Sequence, residues 1–179
     1  MSESLSVFFE NPIIIDVVKL ANETKKIFNF LLSVQNIECN LIFLNKNDER
    51  IGRLNPDSNQ LYKFIETNIL GYGGYILYMP DEYWEYHSDK KLYEFSLNEI
   101  SFDKKSALFL VQLSMLISIA QQAECDYLYD TSGIFKATIN DQIDISYFLN
   151  SHLDQDSTCF EKSLYTFYNK LNIKSINHR

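Results

Sequence analysis

Residues 107–120 form the longest apolar run of the chain, fourteen positions without a charge, interrupted only by Gln112, Ser114 and Ser118. A helical stretch that is apolar all round has no face to offer water, so it predicts a helix buried on every side. The run is too short to cross a bilayer, which takes about 20 residues. The rest of the chain must therefore supply the walls around this helix. Gln121-Gln122-Ala123-Glu124 follows it, residues 125–130 read as a core strand, and Thr131-Ser132-Gly133 is a turn signal.

Those walls can be read in chain order. Residues 5–9 predict a short first strand. Asn11 and Pro12 predict a helix start, with Asn11 as cap. From 14 to 34, Ile14, Val17, Val18, Ala21, Ile27, Phe28, Leu31 and Leu32 fall on one helical face. Residues 37–44 and 50–54 read as a hairpin about the polar turn 45–49. Ser58 can cap a helix over 59–69 whose stripe is Leu61, Phe64, Ile65 and Ile69, with the glycines at 71, 73 and 74 as its stop. Strands follow at 75–79 and 92–97, and Ser101 or Asp103 is the expected cap of the central helix.

Beyond the turn, 134–139 fits a last strand or an irregular crossing, and 140–149 a short helix capped at Asn140 or Asp141. The final helix starts after 154–158 and carries Phe160, Leu164, Phe167, Tyr168 and Leu171 at helical spacing. Residues 174–179 read as a loose tail. Strict strand–helix alternation is absent, so the expectation is an α+β fold, a mainly antiparallel sheet with helices packed on it, in a single domain over 1–179.

Charge narrows the function classes. The net charge is −8, and it is unevenly distributed: residues 1–80 carry −2, 81–161 carry −10, and 162–179 carry +4. Such a field disfavours nucleic acid as a direct ligand and favours a basic protein partner. The three cysteines, Cys39, Cys125 and Cys159, are widely spaced and read as reduced thiols, which suits a cytoplasmic protein. The start of the chain lacks the basic residues and apolar region of a signal peptide, and no membrane role is expected.

Chemical motifs are scarce. The glycines at 71–74 match neither a phosphate-binding loop nor a dinucleotide fingerprint. His87, His152 and His178 stand far apart without metal-ligand spacing, so no catalytic, cofactor or metal residue is assigned. Two carboxylate pairs remain. Asp126 and Asp130, four apart, would share one side of a strand, and Asp154 and Asp156 suit a helix start, where the dipole favours negative charge. Residues 81–89 pack four acids, three aromatics and a histidine together. Glu82, Tyr83, Trp84, Glu85, Tyr86 and Asp89 there read as a partner surface, because aromatics give contact area and acids select a basic partner. The alternative is a loop whose aromatics tuck into the core. The candidate partner-binding set is completed by Asp126, Asp130, Asp154 and Asp156.

The passage 113–135, an apolar helix ending in Gln121-Gln122-Ala123 and then a strand ending in Asp130 before Gly133 and Phe135, resembles a pattern of bacterial immunity proteins. It departs from that pattern at Glu124-Cys125, where a small residue and a glycine are often found. The resemblance implies a non-enzymatic immunity protein of a contact-dependent inhibition or polymorphic toxin system. Such a protein binds a cognate toxin domain, often a basic nuclease, and occludes it without a cofactor. The rival expectations are an enzyme with a metal-dependent or hydrolytic site, using Asp126, Asp130 and a histidine, and an adaptor or structural domain. A single acidic face requires the acid-rich segments on either side of the central helix, 81–103 and 124–161, to meet in space.

Overall fold

A computed structural model describes residues 4–11, 13–33, 39–45, 47, 49–54, 62–69, 74–78, 84–97, 107–150 and 160–173. For 39, 40, 45, 54, 62–69, 74–78, 84–87 and 161 it describes the backbone alone. The order of elements is β1 (Leu5–Phe9), β2 (Ile15–Asp16), α1 (Val17–Leu31), β3 (Cys39–Asn45), β4 (Arg53–Leu54), β5 (Tyr62–Ile69), β6 (Gly74–Tyr78) and β7 (Trp84–His87). It continues with β8 (Leu92–Leu97), α2 (Leu108–Gln122), β9 (Tyr127–Tyr129), β10 (Gln142–Asp144), α3 (Ile145–Leu149) and α4 (Phe160–Lys170).

The strands form a five-stranded sheet in the order β10-β9-β1-β8-β7, a three-stranded sheet β3-β5-β6 and a small β2-β4 pair. Every pairing among the described residues is antiparallel. The fold is α+β, as expected. Helix α2 packs on β1 and β9 and also against α1, and α1 in turn contacts β3. The buried apolar side chains of these elements and of α4 join in one cluster.

The all-round apolar character of α2 is explained by this position. Every residue from Phe109 to Ala120 is buried. Its polar residues are handled individually: Ser114 Oγ donates to the Leu110 carbonyl at 2.7 Å, and Ser118 Oγ donates to Glu23 at 3.1 Å. Gln112 Oε1 and the Thr24 hydroxyl on α1 are buried without a hydrogen-bond partner among the described residues, an arrangement that costs stability. The N-cap position of α2 is Ala107, which offers no capping side chain; Ser101 and Asp103, the expected caps, lie outside the described residues. A residue distant in sequence serves instead: the Tyr168 hydroxyl of α4 accepts from the Leu110 N–H at 3.1 Å, satisfying one of the donors that a helix start leaves open.

Four sequence expectations are corrected. Helix α1 begins at Val17, not near Ile14, because Ile15 and Asp16 stay extended to pair with Leu54 and Arg53. Asp16 replaces Asn11 as cap and accepts from the Lys19 N–H at 2.8 Å. Ile14 and Val18 consequently fall outside the buried face, 61% and 67% exposed. Residues 59–69 hold no helix where described: 62–69 is strand β5, paired on both sides. Tyr62, Phe64, Ile65, Thr67 and Ile69 are β-formers, and two neighbouring strands outweigh a helical stripe of four. The predicted return strand at 50–54 bridges β3 at Leu44–Arg50 and then leaves to pair with β2. Finally, 140–149 is not one helix. Asn140 and Asp141 both have positive φ, 51° and 60°, as a two-residue hairpin turn between Ile139 and Gln142 requires. Strand β10 then precedes α3, which Asp144 caps.

Candidate functional site

The register of the large sheet gathers carboxylates at one end of its strands. In β1, Phe9 pairs with Tyr93 of β8, so Glu10 follows at the end where the β7–β8 turn, 88–91, carries Asp89. On the other side Ser6 pairs with Tyr129, which brings the start of β9 to the same end. The Cys125 thiol seals that junction by donating to the Phe8 carbonyl at 3.0 Å. Asp144 of β10 pairs with Tyr127, one residue beyond Asp126. Glu10, Asp89, Glu124, Asp126 and Asp144 are all exposed at this end. Lys90 and Lys91 are exposed with them.

Helix α2 ends here as well. Glu124 donates its N–H to Gln121 O at 3.2 Å and Cys125 donates to Ala120 O at 2.8 Å, the paired bonds of a helix stop whose left-handed residue is normally glycine. That residue is Glu124, at φ 56°. The last turn of α2 has no basic residue, so the negative end of the helix dipole adds to the carboxylates around it. An open cleft of about 680 Å³ lies at this junction, lined among others by Phe8, Glu10, Gln122, Glu124, Cys125 and Tyr129. The rings of Phe8 and Tyr129 meet edge to face at 4.6 Å, and the Lys90 ammonium stands 5.5 Å from the centre of the Phe8 ring.

Two groups at this end have shifted pKa values. Burial, and then the charge of Asp126, push the Cys125 thiol above its ordinary 9.0, so it is neutral near pH 7 and is a poor nucleophile. The Ser146 hydroxyl, then the Ser146 N–H, hold the Asp144 carboxyl below its ordinary 3.8.

The predicted partner residues fare differently. Asp89 and Asp126 are exposed and come to the same end of the sheet. Trp84, Glu85 and Tyr86 lie on the edge strand β7, in register with Phe95, Glu94 and Tyr93. Glu82, Tyr83, Asp154 and Asp156 lie outside the described residues, as do His152 and His178.

Asp130 is withdrawn from the set. It is 0% exposed, and its oxygens accept from Ile134 N–H at 2.8 Å, Phe135 N–H at 2.9 Å and the Thr138 hydroxyl at 2.5 Å. Its task is to close the turn after β9. Asp126 and Asp130 flank β9, the first exposed and the second buried, so they do not act as a carboxylate pair. Among the described residues no three His, Cys, Asp or Glu side chains are placed to hold a metal ion, and no helix is long and apolar enough to cross a membrane.

Glu10, Glu124 and Asp144 were not singled out in the sequence. Asp144 had a local signal, an acid just before Ile145-Ser146 at a helix start. Glu10 and Glu124 had none, since their proximity depends on the β1–β9 pairing.

No family model, curated protein or solved structure matches this chain.

Proposed function

We propose that this protein is a toxin-neutralising immunity protein of the cytoplasm that binds a basic, nuclease-like toxin domain and occludes it, with no catalysis of its own. One observation carries the reading. The acid-rich segments on both sides of the central helix contribute strands to one sheet, and their exposed carboxylates Asp89, Glu124, Asp126 and Asp144 join Glu10 at one end of it. Charge gathered this way presents a field to a basic partner and speeds encounter, to about 10⁸–10⁹ M⁻¹s⁻¹ at low salt. The edge strand β7, on which Trp84, Glu85 and Tyr86 stand, belongs to the same sheet.

The gene of such a protein is expected directly downstream of a large toxin gene. Co-expression with the C-terminal domain of that toxin should restore growth and co-purify the two. Failure of both to occur would sink the reading. Charge reversal of Glu82, Glu85 and Asp89 to Lys should weaken capture, and retained capture would remove these three acids from the contact and confine it to Glu10, Glu124, Asp126 and Asp144.

A further inference from the structure

We infer that the cleft between the end of β1 and the end of α2 receives an arginine side chain of the basic partner, a refinement that rests on the function proposed above. Two features favour a cation there, and the chain's own Lys90 shows that the aromatic wall accepts one. The C-terminal carbonyls of α2 bring a partial negative charge with no basic residue in the last turn to answer it. Glu10 and Glu124 line the cleft, and neither forms an ion pair among the described residues. The aromatic wall of Phe8 already attracts an ammonium, that of Lys90, at 5.5 Å, as the negative face of a ring does.

Size and shape agree. A volume of about 680 Å³ is in the range of sites that take a small ligand and leaves room for an extended side chain with part of its backbone. Guanidinium suits the wall better than ammonium, because its plane can lie on a ring while its fork meets carboxylates. The neutral thiol of Cys125 is turned to the Phe8 carbonyl and offers the guest no charge. Glu124 holds a left-handed conformation, φ 56°, that favours glycine, and it sets a carboxylate at the negative end of the helix.

The test titrates the isotope-labelled full chain with Nα-acetyl-arginine methylamide and follows backbone amide shifts. Saturable shifts at residues 8–11 and 122–125, absent with the neutral citrulline analogue, are expected. The double variant Glu10→Gln/Glu124→Gln should bind the arginine probe at least about fivefold more weakly. Equal shifts with citrulline, undiminished binding to the double variant, or no saturation would overturn the inference. So would tighter binding of spermidine, which would mark a site for a small polyamine. The two proposals separate cleanly. If the double variant still captures the toxin domain while the arginine probe fails to bind, the cleft assignment falls and the immunity reading stands. If the probe binds as expected and no toxin domain is captured, the reverse holds.

Discussion

At one end of β9, Asp130 is sealed from solvent with three donors on its carboxylate. At the other, Asp126 and Glu124 are exposed, and neither has an ion-pair partner among the described residues. The residue type is the same and the separation is four positions, yet the first carboxylate organises the chain while the second leaves its charge available. The difference is one of satisfaction. A buried carboxylate is tolerable only when its lone pairs are taken by donors, and the turn 131–138 supplies them. An exposed carboxylate is satisfied by water and can exchange that water for a partner. Acidity in the sequence is thus a mixture of internal structure and outward field, and only the second speaks of function.

The sharpest way to break this contrast is to remove each carboxylate in turn. Asp130→Ala strands two N–H groups and a hydroxyl in the interior and should cost about 3–5 kcal/mol in urea unfolding. Asp126→Ala should stay within about 0.5 kcal/mol of the parent. Equal costs would refute the division between a sealed and an open end.

A smaller effect is expected at the long-range cap. Tyr168→Phe keeps the ring packed against Phe109, whose centre is 6.1 Å away, and removes the acceptor for Leu110 N–H. A loss of about 1 kcal/mol follows, read from the same unfolding curves. No change would mean that this N–H finds another acceptor at no cost.

Glu124→Gly inverts the usual sign. Glycine relieves the left-handed strain at φ 56°, so stability should rise by about 0.5–1 kcal/mol while arginine binding at the cleft weakens. A variant that is both more stable and unimpaired in binding would show that the carboxylate has no role at the open end.

The smallest effect is pH-dependent and belongs to Asp144. Its carboxyl titrates lower in the folded chain than in the unfolded one, so its contribution is full above the ordinary value of 3.8. It fades as pH falls through the folded value. The stability difference between the parent and Asp144→Ala, measured from pH 7 downward, should shrink at acid pH. A constant difference would detach this cap from its charge.

Local patterns were legible where they agreed with packing. The run at 107–120 required a buried helix because it has no polar face, and α2 is that helix. Strands β1 and β8 and the buried residues of α4 follow equally from periodicity. Residues 62–69 were misread because their apolar positions fit both periods, and it was the flanking strands β3 and β5's other neighbour β6 that decided between them. Asn11 was a reasonable cap in isolation, but Asp16 prevailed because the β2–β4 pair holds the two residues before α1 extended.

By itself, then, the sequence determined the class of fold, the central helix and the sign and uneven spread of charge, since these rest on composition and short-range periodicity. Which carboxylates are sealed and which are displayed was decided only by the tertiary structure. Strand pairing between β1, β8 and β9 joins Glu10, Asp89, Glu124 and Asp126 at one end, and no local pattern specifies which residues distant in sequence will share it. The reason is physical: a charge's worth depends on the donors, dipoles and water around it, and those are set by long-range contacts.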